Sequence, residues 1–271
     1  MKDLKFTVLM CTYYKDDPYL LKKAIRSIYK NSVKPDFFIL TIDGPIPKIN
    51  KKIINKLSLR YPIKLNILKK NIGLASALNN ALKLVKTEWV ARADSDDINL
   101  SNRFAIQLKF TKYNYDVIGS NILEVDKNKS IPPLTKKIPI NNYEIKKFIR
   151  SRNPINHMTV LFKTKTIRSA GGYPNIYLRE DYALWAKLIS NNASFFNIDQ
   201  ILVHVNGGPK LYKRRGGFKN ALAEIKLQTF LFKNNIKPLH LSIIHSILRS
   251  LILLVPRKLL QNIYIKFLRS S

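Results

Sequence analysis

A single cysteine, Cys11, stands in a chain of 271 residues, which excludes an intramolecular disulfide framework and suits a reducing compartment. It lies inside an apolar, strand-like run, the setting of a buried structural thiol rather than a nucleophile. Long apolar runs are missing too. The nearest, "LSIIHSILRSLILLV" at 241–255, is interrupted by His245 and Arg249, short of the roughly 18 uninterrupted apolar residues of a bilayer span. "MKDLKFTVLM" reads straight into a strand without the long apolar stretch and small-residue cleavage site of a secretory signal, so a cytoplasmic protein is expected.

Acid is also scarce: 17 Asp plus Glu face 48 Lys plus Arg, for a formal net charge of +31. Such a balance favours an anionic partner, whether nucleic acid, an anionic membrane or a phosphorylated ligand. The lysines are spread among many Ile and Asn residues, however, and a compositional bias of the source genome explains them equally well. No nucleic-acid-binding module with basic residues and interleaved aromatics on one reading face is recognisable, so no nucleic-acid partner is expected. Scarcity makes the position of the acids informative, and "ARADSDDINL" (91–100) gathers three of them within four positions.

The first hundred residues alternate strand-like and helical patterns. "FTVLMCTY" (6–13), "FFILTID" (37–43), "IKLNIL" (63–68) and "EWVARA" (88–93) read as strands. Asp17-Pro18 reads as an N-cap followed by a first-turn proline, and Leu21, Ala24, Ile25 and Ile28 continue as one helical face. Leu74, Ala77, Leu78, Ala81, Leu82 and Val85 form another. This order predicts an α/β fold with a doubly wound, mainly parallel sheet and right-handed crossovers. Ligands in such sheets bind beyond the carboxyl ends of the strands, which gathers Thr12-Tyr13, Asp43-Gly44, Asn71 to Gly73 and Asp94 to Asp97 along one edge. Beyond residue 100 a helix capped by Ser101 is expected to run to about Lys112, with strands at 116–125, 157–162 and 194–205, a polar loop at 127–139 and a helix near 181–190.

Side chains alternate along an extended segment, so Asp94 and Asp96 can face one ligand while Asp97 points away. Their mutual repulsion makes sense around a divalent cation that also holds a diphosphate, and oxygen-only ligation suits Mg2+ or Mn2+. An acidic turn capping the next helix is the alternative. Further on, "REDYALWAKL" places Glu180 and Asp181 at a helix start, where the macrodipole favours acids in any case.

Taken in order, "VLMCTYYKDD", "ILTIDGP", "NIGLASALNNAL", "ARADSDDI", "NPINHMTVLFK" and "REDYALWAKL" resemble glycosyltransferase family 2, over about residues 5 to 205. These are inverting nucleotide-sugar enzymes with a GT-A fold, here of the bacterial surface-polysaccharide, amylovoran-biosynthesis-like kind. The resemblance implies a DxD motif at Asp94 and Asp96 holding Mn2+ or Mg2+, and Asp181 as general base toward the acceptor hydroxyl. It implies donor contacts from Thr12, Tyr13, Asp43, Asn71, Gly73, Asn79, Arg92 and Asp94, with Glu180 and His157 on the acceptor side. Asn71 as a helix cap and His157 as a satisfied core histidine are the competing readings. His204 is a further candidate metal ligand. The stretch "GGPKLYKRRGG" offers Lys213, Arg214 and Arg215 to the diphosphate, or is a solvated cationic linker.

The implied donor is a UDP-sugar and the implied acceptor a saccharide, lipid-linked in the expected case. The QxxRW signature of processive synthases is absent, so a single sugar is transferred. A sugar nucleotidyltransferase would carry a glycine-rich, basic N-terminal loop, which "CTYYKDDPYLL" does not supply. The expected organisation is a GT-A domain at 1–206, with a nucleotide-sugar half to about 100 and an acceptor half after it. A basic loop and helix follow at 207–238 and an amphipathic tail at 239–271. Such a tail suits an anionic membrane surface, hence a peripheral location on the inner face of the bacterial cytoplasmic membrane; packing on the catalytic domain or a second subunit is the alternative.

Overall fold

The protein is described by a computed structural model covering residues 4–126, 132–207 and 216–255. Its first strand, β1 (Phe6–Thr12), is followed by α1 (Pro18–Tyr29), β2 (Phe37–Ile42), α2 (Lys48–Ser58), β3 (Ile63–Ile67), α3 (Leu74–Lys83) and β4 (Trp89–Ala93). The Asp17 carboxylate accepts from the Tyr19 and Leu20 N–H groups with Pro18 at the first helical position, the cap that the sequence predicts. These four strands are parallel in the order β3-β2-β1-β4.

The second half adds β5 (Ile98–Asn99), α4 (Arg103–Lys109), β6 (Val117–Val125), β7 (Leu134–Lys136), α5 (Asn142–Phe148), β8 (Leu161–Lys163), α6 (Thr164–Ser169), α7 (Glu180–Ser190), β9 (Phe195–Asn206), α8 (Phe218–Lys233) and α9 (Leu239–Leu254). The sheet continues past β4 through β8, β6 and β9 to β5. β6 and β9 are parallel while β8 and β5 run antiparallel to their neighbours, so the sheet is mixed as expected. The register with β6 shifts between Ser120 and Ile122, so that the longer β9 bulges and then stays paired with β6 as far as Asn206, and on its other edge His204 pairs with Ile98. That second pairing sets β9 beside the "DSDD" turn.

Several local expectations are corrected. Ser101 does not cap α4; Asn102 occupies the cap position without a side-chain bond, and the helix ends at Lys109 before a short 3-10 turn. His157–Thr159 is also a 3-10 turn, so the strand there is only Leu161–Lys163. The polar loop contains β7, which pairs with β6. A three-residue edge strand carries too little apolar alternation to be seen in the sequence.

Alternation along the buried strands fills two cores. Leu9, Ile39 and Val90 face α3, α7 and α8, packing with Leu78, Trp185, Phe195 and Leu227. Val8, Met10, Phe38 and Trp89 face the other side, with Leu21, Ile25 and Phe104. Because Leu227, Leu231 and Ile236 belong to the first core, α8 completes the catalytic-side layer although it follows the boundary expected near residue 207.

The turn after β2 shows how tightly the strand ends are joined. Gly44 has φ of 83°, and a Cβ there would lie 2.4 Å from the Asn71 nitrogen. Gly73 also has positive φ, at 84°, but beyond its chain neighbours no atom of the described residues lies within 4 Å of its Cβ position; close approach is the property of Gly44. Gly44→Ala is therefore expected to cost about 2–4 kcal/mol, from left-handed strain plus displacement of neighbouring backbone, and Gly73→Ala about 1–2 kcal/mol from strain alone. Urea unfolding of the two variants checks this, and equal losses would reject the close contact.

Candidate active site

On the donor side, Asp43 is a hub. It is 4% exposed, and its Oδ1 accepts from the Ile72 N–H at 2.8 Å while Oδ2 accepts from the Gly73 N–H and the Asn71 amide, each at 3.0 Å. Its own N–H donates to the Thr12 carbonyl at 2.8 Å. One carboxylate thus ties the ends of β1 and β2 to the loop before α3, and three residues expected around the donor share one network. Asn71 does not cap α3; Gly73 holds that position. Asn79, expected to meet donor hydroxyls or phosphate, has both ends of its amide bonded to the backbone of Tyr173, because α3 packs against the 171–173 turn. Tyr13 is half-buried and meets Tyr14 edge-on at 5.4 Å.

Residues 95–96 form a turn rather than an extended segment, yet exposure still alternates, with Asp94 and Asp96 half-buried and Ser95 and Asp97 buried. The Ser95 hydroxyl donates to Asp16 Oδ2 at 2.6 Å, and the same oxygen accepts from the Tyr13 N–H. Asp16, which the sequence reading passed over for its neighbour Asp17, therefore clamps the β1–α1 loop to the acidic turn. Arg92, expected among the donor contacts, is 2% exposed and forms an ion pair with Asp94. Burial alone would lower its guanidinium, but the Asp94 charge holds it above its ordinary value. It acts on the site by orienting Asp94.

Asp97 accepts from the Asn206 N–H at 3.0 Å, while its buried Oδ2 has no hydrogen-bond partner among the described residues. Burial first, then the charges of Asp94 and Asp96, push its carboxyl well above the usual range. Three crowded carboxylates with oxygen-only donors suit a hard divalent cation, whose charge would relieve that repulsion. Among the described residues, no three His, Cys, Asp or Glu side chains form a complete metal-holding group. The β5–β9 register sets His204, the further candidate ligand, opposite Ile98, one residue beyond Asp97. Lys213, Arg214 and Arg215 lie outside the described residues.

Across the strand ends, α7 begins with Glu180 and Asp181. Asp181 Oδ2 accepts from the Asn153 amide at 2.7 Å and Oδ1 from the Tyr182 N–H at 2.8 Å. Burial, then the neighbouring Asp181 charge, pushes the Glu180 carboxyl up to about 7, and Arg92 and Asp94 also act on it. The acidic turn and the start of α7, remote in sequence, hence share one electrostatic field. His157 lies behind them, 7% exposed, with Nε2 3.0 Å from the Tyr173 hydroxyl and its ring against Trp185. Burial, then the positive charge of Arg92, holds it well below its ordinary value, so it is a neutral, satisfied core histidine in this arrangement. Burial likewise pushes the partly buried Cys11 thiol up to about 12, which makes it inert.

Asn153 opens the "NPINHMTVLFK" string without being assigned a role there, and no local pattern marks Arg103, a fully buried arginine that donates to the Arg92 carbonyl at 2.8 Å and to Gln107 at 2.9 Å. Arg103 becomes visible only when α4 is packed beneath β4. Burial, then repulsion from Arg92, lowers it to about 9.

The chain is 41% identical over 267 residues to the UDP-Gal:alpha-D-GlcNAc-diphosphoundecaprenol beta-1,3-galactosyltransferase of Escherichia coli, covering 98% of this chain and 97% of that protein. It is 29% identical over 263 residues to the amylovoran biosynthesis glycosyltransferase AmsE of Erwinia amylovora, covering 96% and 98%. The solved structure of S. aureus TarS 1-349 in complex with UDP-GlcNAc matches with a TM-score of 0.64 at 17% identity, over 84% of this chain and 66% of that one. That likeness speaks for the GT-A fold. Residues 7–173 match the pattern described as "Glycosyl transferase family 2", and with the ordered strand-end acids and this long-range identity, the chain belongs to glycosyltransferase family 2.

Proposed function

We propose that this glycosyltransferase moves one hexose from a UDP-sugar, with inversion, onto a polyprenyl diphosphate-linked GlcNAc acceptor in surface-polysaccharide assembly. The observation that carries the reading is the shared field of the "DSDD" turn and the Glu180-Asp181 pair, with Arg92 and Asp94 acting on Glu180. The identity to the E. coli galactosyltransferase over nearly the whole of both chains supports the acceptor class, and makes UDP-galactose the first donor to test.

In this reading, Asp43 and the loop it holds seat the nucleotide. Asp94 and Asp96 hold Mg2+ or Mn2+, which neutralises the diphosphate when bound. Asp181 takes the proton of the acceptor hydroxyl as that oxygen bonds to the anomeric carbon, while the bond to the UDP oxygen breaks on the opposite face. The Asn153 and Tyr182 donors keep the Asp181 carboxylate oriented for that transfer. Glu180, neutral below about pH 7, can donate a hydrogen bond to the acceptor.

The lipid carrier is consistent with α9. Its buried residues are Ser242, Ser250 and Leu253, whereas Ile243, Ile247, Leu248 and Leu251 are half or more exposed. The helix packs on α8 through a small and polar stripe and turns its apolar side outward, which calls for an apolar medium. Among the described residues no helix is long and apolar enough to cross a membrane; in this reading α9 would rest on an anionic surface, which the net charge of +31 supports.

Asp96→Asn is expected to weaken Mn2+-dependent UDP binding, while Asp181→Asn binds UDP as wild type but loses transfer by about a thousandfold; calorimetry and turnover of UDP-galactose with polyprenyl diphosphate GlcNAc separate the two. Turnover near wild type in Asp181→Asn would remove it as base. Ile247→Asp with Leu251→Asp should abolish sedimentation with phosphatidylglycerol vesicles, and retained binding would refute the membrane reading. Glu180 titrates from about 7 in the fold against an ordinary 4.5. The fold thus holds an extra proton between those values, so its contribution is full below pH 4.5 and is lost as pH rises to 7. Urea midpoints should fall over that range in the wild type and less so in Glu180→Gln.

A further inference from the structure

Outside the cleft, the most developed buried polar network lies between α7 and the two C-terminal helices. Glu224 on α8 is 3% exposed. Its Oε2 accepts from Arg179 Nε at 3.1 Å, and its Oε1 accepts from Gln228 Nε2 at 2.8 Å and Arg249 Nη1 at 3.5 Å. Burial would raise its carboxyl, but the charge of Arg179 with the other donors outweighs this and holds it below its ordinary value. The carboxylate is charged, and both arginines that meet it lead to Asp181.

Arg179 is the residue before Glu180 and occupies the N-cap position of α7. It also donates to the carbonyl of Leu178 at 2.9 Å, whose φ of 53° is a left-handed conformation for a leucine; such a backbone persists only where its surroundings over-determine it. Arg249, on α9, donates its other nitrogen to the carbonyl of Ser151, two residues before the Asn153 that bonds Asp181 Oδ2. The helix start that carries Asp181 and the loop that supplies its amide donor are therefore both fastened to one buried carboxylate.

We propose that Glu224 is a positioning residue for the transfer reaction, setting the Asp181 carboxylate through Arg179 on one flank and through Arg249 and the 151–153 loop on the other. The proposal rests on the reading of Asp181 as base. It gives the C-terminal helices a part in catalysis, because the helix that faces the lipid surface with its apolar side holds the base-bearing segments with Arg249.

The test compares full-length wild type, Glu224→Gln, Glu224→Asp, Asp181→Asn and Ser250→Ala. Ser250 donates to the Ala221 carbonyl at 3.2 Å and so joins the same two helices without touching the Glu224 network. Turnover of UDP-galactose with polyprenyl diphosphate GlcNAc is normalised to the folded fraction, UDP binding is followed by calorimetry, and hydrogen exchange is read over residues 178–183. The expected result for Glu224→Gln is a kcat lower by about 10- to 100-fold, the scale of a misplaced catalytic group. UDP affinity should stay within about twofold of wild type, with faster exchange at 178–183, partial recovery in Glu224→Asp, and kcat unchanged in Ser250→Ala. Exchange reports the linkage even without turnover, and unaltered exchange overturns the proposal. Unchanged kcat in Glu224→Gln while Asp181→Asn is inactive also overturns it and leaves the base in place, as does an equal loss in Ser250→Ala. An active Asp181→Asn removes the base and the proposal together.

Discussion

A buried guanidinium holds the cleft together. Arg92 sits in β4 between β1 and β8, paired with Asp94, and its charge reaches Asp97, Glu180, His157 and Arg103. Without it, the acids at the end of β4 and the start of α7 would meet across a poorly solvated space with only repulsion between them. Removing Asp94 would leave the buried Arg92 charge uncompensated, at less than the roughly 3–5 kcal/mol of a fully buried pair because Asp94 is half-buried. Burial first, and then this charge, keep His157 neutral and lower Arg103 to about 9, which leaves Arg103 cationic at neutral pH. A bound divalent ion would complete a balance that Arg92 begins.

Packing connects that balance to the outer helices. The core beneath α7 includes Leu227 and Leu231 of α8, and α9 is held to α8 by Ser250 and by the Gly217 N–H donating to the Leu253 carbonyl at 2.8 Å. These helices carry the charged network around Glu224 on the inner side and exposed Ile and Leu on the outer side. A surface apolar enough to seek lipid is thereby one helix away from the segment bearing Asp181. Under the proposed lipid-linked acceptor, that proximity would set the cleft beside the surface that holds the acceptor.

The parallel half of the sheet was legible because each strand is a short apolar run and each following helix shows its three- and four-residue spacing; Leu21, Ala24, Ile25 and Ile28 are all buried. The strand-end rule brought Thr12, Asp43, Asn71 and Asp94 to one edge, and the hydrogen bonds of Asp43 join three of these segments. Elements without periodicity were not legible. β5 and β7 are too short to alternate, and the 3-10 turn at His157 reads as strand because Met, Thr and Val are common in both settings. Asn79 suited a sugar or a phosphate by its chemistry, yet the 171–173 turn, distant in sequence, takes its amide.

By itself, the sequence determined the fold class, the family, the absence of a disulfide framework and the two acidic motifs, since all of these are written in composition, local period and the order of short strings. Tertiary structure alone decided which acids share a field, that Arg92 pairs with Asp94, that Asp16 and Asn153 steady the motifs, and that Glu224 lies behind the start of α7. The physical reason is range. Periodicity and capping act over a few residues of chain, whereas charge and hydrogen bonding act over a few ångströms of space, and only the folded sheet brings residues 16, 92, 153, 181 and 224 within that reach.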